Sequence, residues 1–248
     1  MPTRNFAAND RPPRHGLARV LSKLGLCSRT QGAAWVQGGR VSVNGRVVRD
    51  PEFPVHHGRD AIAVDGRATT SARRRVIMLN KPRGLVTSTA DEKGRDTVYR
   101  CLDGSGLPWL APVGRLDKAS EGLLLFSNDP AWSARITAPD SAVDKTYHVQ
   151  IDRLADAQLL ADLESGVVVD GARLAAKSAR CLRRGEKHSW LEIVLDEGRN
   201  RQIRRLLTAR DVAVLRLLRV AVGSLALGAL GKGCWRELSE TEIEALAH

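Results

Sequence analysis

Four consecutive apolar residues, Leu123-Leu124-Leu125-Phe126, follow directly on a charged, glycine-entered turn in the stretch V-G-R-L-D-K-A-S-E-G-L-L-L-F-S-N-D, Val113–Asp129. A run that is apolar at every position has no side to give to water, so it predicts a buried strand. A buried strand that holds up a charged turn is how a scaffold presents a reactive group. An isolated Asp more often only closes its turn, so the residues around Asp117 decide between the two readings.

A length of 248 residues suggests about two domains. The 39 Lys+Arg outnumber the 28 Asp+Glu, and the net charge of +11 points to a polyanionic partner, with nucleic acid favoured over a merely basic surface. Cys27, Cys101, Cys181 and Cys234 are far apart without C-x-x-C spacing, which supports neither a disulfide framework nor a zinc site and fits buried thiols in a reducing cytosol. The N-terminus lacks the apolar segment of a secretory signal, and Arg216 and Arg219 break the longest apolar stretch below a membrane span. A soluble, cytoplasmic protein is expected.

Residues 1–14 are polar, basic and proline-containing, and are expected to form a mobile arm. Leu17, Val20, Leu21 and Leu24 then share one face of a helix that Gly25 stops, and Ser28 caps a second helix ending at Gly38-Gly39. R-V-S-V-N-G-R-V-V places two β-branched runs around Asn44-Gly45, a strong hairpin signal, and Ala61–Val64 adds a strand before the Asp65-Gly66 turn. A helix-helix-hairpin unit over 15–66 buries too little surface to suit catalysis and suits binding, with Arg29, Arg40 and Arg46 on its surface. His56-His57 are adjacent on extended backbone and point apart, which favours a solvent loop over a metal pair. Residues 67–75, R-A-T-T-S-A-R-R-R, have the composition of a linker.

The larger part, 76–248, opens with Val76–Leu79 as a buried strand, Asn80-Lys81-Pro82-Arg83-Gly84 as a turn and Leu85–Ser88 as a returning strand. Lys81 and Arg83 beside a rigid Pro can grip a phosphate or simply solubilise the turn. After the central motif, Asp129-Pro130 starts a helix. Lys145–Ile151 alternates as a strand with Tyr147 on the side of Val149 and Ile151, a core position whose ring can also serve as a stacking platform. Strands are expected at Val167–Val169, Ala172–Arg180 and Trp190–Leu195. On a helix, D-E-G-R-N-R-Q-I-R-R-L-L-T-A-R sets Arg201, Arg204 and Arg205 on one side and Ile203, Leu206 and Leu207 on the other, so the arginine row faces either a cleft or water. Further strands around Val212–Leu218, Ser224–Leu227 and Trp235-Arg236 precede a Ser239–Glu242 capping box.

The phrases L-A-R-V-L-S-K-L-G-L-C-S-R, G-R-V-S-V-N-G-R-V-V and D-A-I-A-V-D-G-R resemble the RNA-binding domain first known from ribosomal protein S-four, the αL motif. Thr30-Gln31-Gly32 departs from that family's continuation of basic and acidic residues. G-R-L-D-K-A-S-E-G-L-L-L-F-S-N, Gly114–Asn128, resembles the signature of the Rsu family of ribosomal RNA pseudouridine synthases, with Ser120 where Thr is commoner. The resemblance continues in N-K-P-R-G at 80–84, K-T-Y at 145–147, E-G-R-N-R-Q-I-R-R at 197–205 and the G-x-W-R-E-L-type ending at 233–238.

The resemblance implies an α+β chain: a small αL domain ahead of a catalytic domain on a mixed, mostly antiparallel sheet with flanking helices. It makes Asp117 the catalytic carboxylate, Tyr147 the residue stacked on the target uracil and Arg204 the basic partner of Asp117. RNA contacts are expected at Arg115, Lys81, Arg83, Arg29, Arg40, Arg46, Arg201 and Arg205, with no metal and no cofactor. The implied reaction isomerises a uridine of 16S or 23S ribosomal RNA, carried out by a monomer on a nucleotide drawn from its stack. Asp117 would attack the ribose C1′ or remove a ribose proton. Arg115 would fill the vacated space. A non-catalytic RNA-binding or ribosome-assembly factor would account for the charge and the αL motif but has no need of the Asp, Tyr and Arg at the active positions. A synthase acting on transfer RNA fits the αL domain less well.

Overall fold

The computed structural model describes residues 14–56, 58–70, 73–88, 94–138, 141 and 143–246. The chain divides between Arg73 and Arg74 into two compact units. Most of the expected N-terminal arm and His57 lie outside the described residues.

In the first unit, α1 (Leu17–Lys23) and α2 (Arg29–Gln37) pack through Leu17, Val20, Leu21 and Val36, all fully buried. Gly32 is where the helices come closest, since an added Cβ would lie 3.1 Å from the Ala18 carbonyl oxygen. Ser28 and Gln31 cap α2 reciprocally, at 3.0 and 3.1 Å, so the residue that departs from the αL pattern serves the helix end. A four-stranded sheet of β1 (Val41–Val43), β2 (Arg46–Val47), β3 (Ile62–Val64) and β4 (Arg67–Ala68) completes the unit. Asn44-Gly45 and Asp65-Gly66 both have positive φ at both residues, the geometry that two-residue hairpins need. Arg67–Ala68 was expected in the linker but pairs with β3, because the Asp65-Gly66 turn returns the chain onto the sheet.

The second unit is built, among the described residues, on a nine-stranded sheet. Its main strands are β5 (Val76–Lys81), β6 (Ala111–Val113), β7 (Glu121–Ser127) and β8 (Lys145–Ile151), with α3 (Pro130–Thr137) after β7. There follow α4 (Ala157–Ser165), the separate hairpin β9 (Val167–Val169) and β10 (Ala172–Leu174), then β11 (Ser178–Arg184) and β12 (Ser189–Leu195). The chain ends with α5 (Gln202–Thr208), β13 (Val214–Val222), β14 (Leu225–Ala226), β15 (Trp235–Glu237) and α6 (Glu240–Ala245). The strand order is β11-β12-β8-β13-β7-β5-β15, with β6 on β7 and β14 on β13. The β7–β13 pairing is parallel and the other strand pairings are antiparallel.

Leu123–Phe126 lie in β7 at 0–1% exposure, covered on both faces. Leu123 and Leu125 join Trp132 and Ile243 on one side, whereas Leu124 and Phe126 join Ile77, Leu79 and Leu110 on the other. At about 1.5–3 kcal/mol per buried large apolar side chain, this strand is a rigid base.

Several expectations change. Lys81 ends β5 instead of sitting in a turn, and Leu85–Ser88 is no returning strand: Val86 makes an isolated bridge to Thr97, and β5 takes β7 and β15 as partners. The expected strand Ala172–Arg180 is two strands in different sheets. α4, capped by Asp156 accepting from the Leu159 N–H at 2.8 Å, was not anticipated. Cys27 is buried, and that burial pushes its thiol up to about 11, while Cys234 is exposed instead of buried. No helix among the described residues is long and apolar enough to cross a membrane.

Candidate active site

The turn Leu116–Ser120 stands at the head of β7, and every one of its carbonyl oxygens accepts a hydrogen bond from elsewhere in the structure or from the turn itself. Thr87 Oγ1 donates to the Leu116 oxygen at 2.7 Å and accepts from the Leu116 N–H at 3.3 Å. Lys81 Nζ donates to the Asp117 and Ser120 oxygens at 3.2 and 2.8 Å, and the Ser120 N–H closes the turn onto Asp117 at 3.0 Å. The Gly84 N–H holds the Lys118 oxygen at 2.8 Å, and Arg204 Nη2 holds that of Ala119 at 3.4 Å. Asp117 is thus presented on a backbone with almost no freedom, while its side chain remains 28% exposed.

Lys81 departs from its expected role. It is fully buried, and its ammonium is spent on the turn and on the Pro82 oxygen at 3.1 Å, out of reach of a phosphate. Burial pulls its pKa down to about 8, against opposition from Cys101, Glu121 and Asp117. Three hydrogen bonds from a charged donor, each worth about 1.5–3 kcal/mol, offset that desolvation. Its position in β5, opposite Gly122, aims it under the turn.

The carboxylate of Asp117 pairs with Arg201, Nη1 to Oδ2 at 3.3 Å, not with Arg204 as expected. The reason lies at the start of α5. Arg201 is the N-cap residue with φ 50°, ψ 32°, a left-handed conformation uncommon for arginine that turns it out of the helical row. Arg204 is committed to the Ala119 and Val214 oxygens at 3.4 and 3.3 Å, and its Nε is buried without a partner among the described residues. Burial and the neighbouring Arg201 charge hold its guanidinium below the ordinary value, with Asp117 opposing them. Ile203, Leu206 and Leu207 are buried, as the helical pattern requires. Arg205 turns to the β9–β10 hairpin, pairing with Asp170 at 2.9 Å, and so does not extend the row toward Asp117.

Tyr147 is half-buried on β8 and packs against two core clusters, one under α4 and α5 and one around Leu124 and Phe126. It pairs across Arg219 of β13 with Gly122 of β7, placing it two strands, or ~10 Å, from the head of the central strand. Its hydroxyl makes no hydrogen bond among the described residues. Gly122, at φ 101°, has to be glycine: a Cβ would stand 2.2 Å from the Arg219 oxygen.

Arg115, immediately before the turn in sequence, and Arg83 are both exposed. Of the first unit's arginines, Arg29 and Arg46 are exposed, whereas Arg40 forks onto Asp65 at 2.9 and 2.5 Å and lies 5.1 Å over Trp35. Arg40 is therefore tied to the hairpin turn instead of being free for a ligand. Thr87 and Glu121 were overlooked in the sequence. Thr87 gave no signal, but Glu121 did, being a carboxylate that enters an otherwise apolar strand.

The family described as RNA pseudouridylate synthase matches residues 75–209, and the S4 domain family matches residues 16–60. An uncharacterized RNA pseudouridine synthase of Aquifex aeolicus (strain VF5) is 34% identical over 230 residues, 92% of each chain. The ribosomal large subunit pseudouridine synthase B of Bacillus subtilis (strain 168) is 33% identical over 233 residues, 93% of this chain and 94% of its own. A crystal structure of a pseudouridylate synthase superposes with a TM-score of 0.64 at 29% identity, covering 94% of this chain and 99% of that one.

Proposed function

The chain belongs to the RNA pseudouridylate synthase family and is an isomerase, and from that premise we propose that it converts a uridine of ribosomal RNA to pseudouridine with Asp117 as the reacting carboxylate. The observation that carries this reading is the clamped Leu116–Ser120 turn, which fixes the backbone of one aspartate and leaves its carboxylate accessible. Preorganisation of that kind serves a reaction centre and has no use in a simple RNA clamp. The choice of ribosomal RNA is supported by the S4 domain and by the name of the Bacillus subtilis relative.

The reaction breaks the N1–C1′ bond, turns the uracil, joins C5 to C1′, releases the C5 proton and leaves N1 with a proton taken from solvent, with no net oxidation or reduction. The target nucleotide has to leave its stack for this to happen. Tyr147, between two apolar clusters, offers its ring to the uracil, and exposed Arg115 enters the space left behind. Asp117 either adds to C1′ or takes a ribose proton. Arg201, the more exposed arginine at Asp117, is free to move to a phosphate as RNA arrives. Arg204, with its unpartnered Nε, is then placed to take over the carboxylate.

Asp117→Asn tests the reading directly. Release of tritium from ribosomal RNA labelled at uracil C5 should fall at least ~10⁴-fold while RNA affinity stays within twofold. Retained release would remove Asp117 from the reaction, and mapping pseudouridines in ribosomal RNA with and without the gene would identify the target.

A further inference from the structure

The sheet of the second unit carries another polar surface that the reaction at Asp117 does not use. Side chains alternate along β8, so Tyr147 and Val149 face the covered side while His148 and Gln150 face the opposite one. On that opposite side Gln150 is paired with Trp190 of β12 and with Arg216 of β13, which sets three side chains in one row. The Arg216 guanidinium lies 5.6 Å over the Trp190 ring. It also forks onto both oxygens of Glu121 at 3.1 and 3.2 Å, and Lys232 reaches the same carboxylate at 2.8 Å. Glu121 is buried. Its burial pushes the carboxyl up, and the Arg216 and Lys232 contacts outweigh this and hold it below its ordinary value.

Beside this row stands the tip of the β11–β12 hairpin. Arg183, Glu186, Lys187 and His188 from the hairpin, together with Gln150 and Trp190, line an open depression of about 520 Å³. Arg183, Arg184 and Lys187 are exposed and carry no ion pair among the described residues. Arg216 and Lys232 share the one carboxylate of Glu121, whereas at the hairpin Arg183, Arg184 and Lys187 outnumber the single acidic residue, Glu186. A half-buried indole backed by a guanidinium and rimmed by cations that outnumber the one acidic residue, Glu186, offers a stacking surface for a base and contacts for its phosphates. Burial of Trp190 in an ordinary core would not leave the ring bordering an open, basic depression.

We propose that this face is a second RNA-contact site, which takes an unpaired nucleotide stacked on Trp190 with its flanking phosphates on Arg183 and Lys187. Arg216 connects the site to the reaction centre, since its other partner, Glu121, begins the strand whose preceding turn carries Asp117. RNA held here is a segment near the target and not the target itself, because Tyr147 and Trp190 point to opposite faces of the sheet. Naming RNA as the polyanion rests on the proposed synthase function.

The test uses the full chain and transcribed large-subunit ribosomal RNA. Charge reversal at the tip, Arg183→Glu with Lys187→Glu, should weaken binding at least tenfold at 0.1 M salt and lower the slope of log K against log salt by about 2, as loss of two phosphate contacts requires. Tritium release at saturating RNA should stay within twofold. Trp190→Leu should weaken binding about tenfold and Trp190→Phe should restore it, a pattern that follows stacking and not packing volume. Unchanged affinity and slope in the charge-reversed chain overturn the proposal. Equal loss in Trp190→Leu and Trp190→Phe does so too, as does capture of an acidic protein by the tip with RNA affinity unaffected. Failure of the synthase reading would appear separately, as absent tritium release by the wild-type chain, and would leave the affinity comparison readable.

Discussion

The first unit and the Leu116–Ser120 turn of the second are both polar structures raised on small apolar bases, yet they are held in opposite ways. The first unit's turns are fixed by their own residues: Asn44-Gly45 and Asp65-Gly66 adopt positive φ, and Ser28 and Gln31 cap each other within one helical turn. The second unit's turn is fixed from afar, by Lys81, Gly84 and Thr87 on one segment and Arg204 on another. A surface that recognises RNA by charge tolerates small displacements, whereas a reacting carboxylate misplaced by ~1 Å loses rate by about 100-fold. Local rules are sufficient for the first task, and the second requires long-range constraint.

The comparison breaks most readily at Lys81. Lys81→Met keeps the length of the side chain but leaves the carbonyl oxygen of buried Ser120 without its Lys81 donor and that of Asp117 with the Ser120 N–H alone. Turnover should fall more than ~100-fold and the second unit should lose about 3 kcal/mol in urea unfolding, with the first unit unaffected. Turnover within tenfold of wild type would mean the long-range clamp is dispensable.

Removing the first unit, residues 1–73, should have a complementary effect. Affinity for ribosomal RNA should drop about tenfold or more with a shallower salt dependence, while tritium release at saturating RNA persists. Unchanged affinity would take the binding role from this unit.

A smaller effect is expected from pH. Lys81 titrates near 8 in the fold, below the ordinary 10.5. Between those values the unfolded chain holds more protons, so this group's linkage raises stability as pH rises. Activity should run the other way, declining above about pH 8 as the amine loses one of its donors to the turn. A pH–rate profile and a pH series of urea midpoints separate the two trends, and parallel curves would contradict the assignment.

The smallest change is local. Ser28→Ala should cost the first unit about 1 kcal/mol in urea unfolding and leave tritium release at saturating RNA intact.

Much of this was readable from residue order. Leu123–Phe126 announced a buried central strand, Asp129-Pro130 a helix start, Lys145–Ile151 a strand with Tyr147 on its apolar side, and Ser239–Glu242 a capping box, because periodicity, capping and turn chemistry act over a few residues. The reading failed where partners are distant. Lys81 looked like a phosphate ligand because its spacing beside Pro82 carries no sign that β5 runs two residues further, through Asn80 to Lys81. Arg204 looked like the ion-pair partner of Asp117 because a helical wheel omits the left-handed backbone at Arg201, which belongs to the turn entering α5. Arg40 and Arg205 looked free because their carboxylate partners, Asp65 and Asp170, lie 25 and 35 residues away.

The sequence by itself determined a small hairpin unit, a strand-rich larger unit and an aspartate on a turn above a buried strand, since hydrophobic pattern and φ preference are properties of neighbouring residues. Only the tertiary structure decided which arginine meets Asp117, that Lys81 supports the turn from within, and that Trp190, Gln150 and Arg216 meet in one row across three strands. Those outcomes depend on strand order and register, which bring together groups far apart in the chain, and on burial, which converts a surface charge into a structural one.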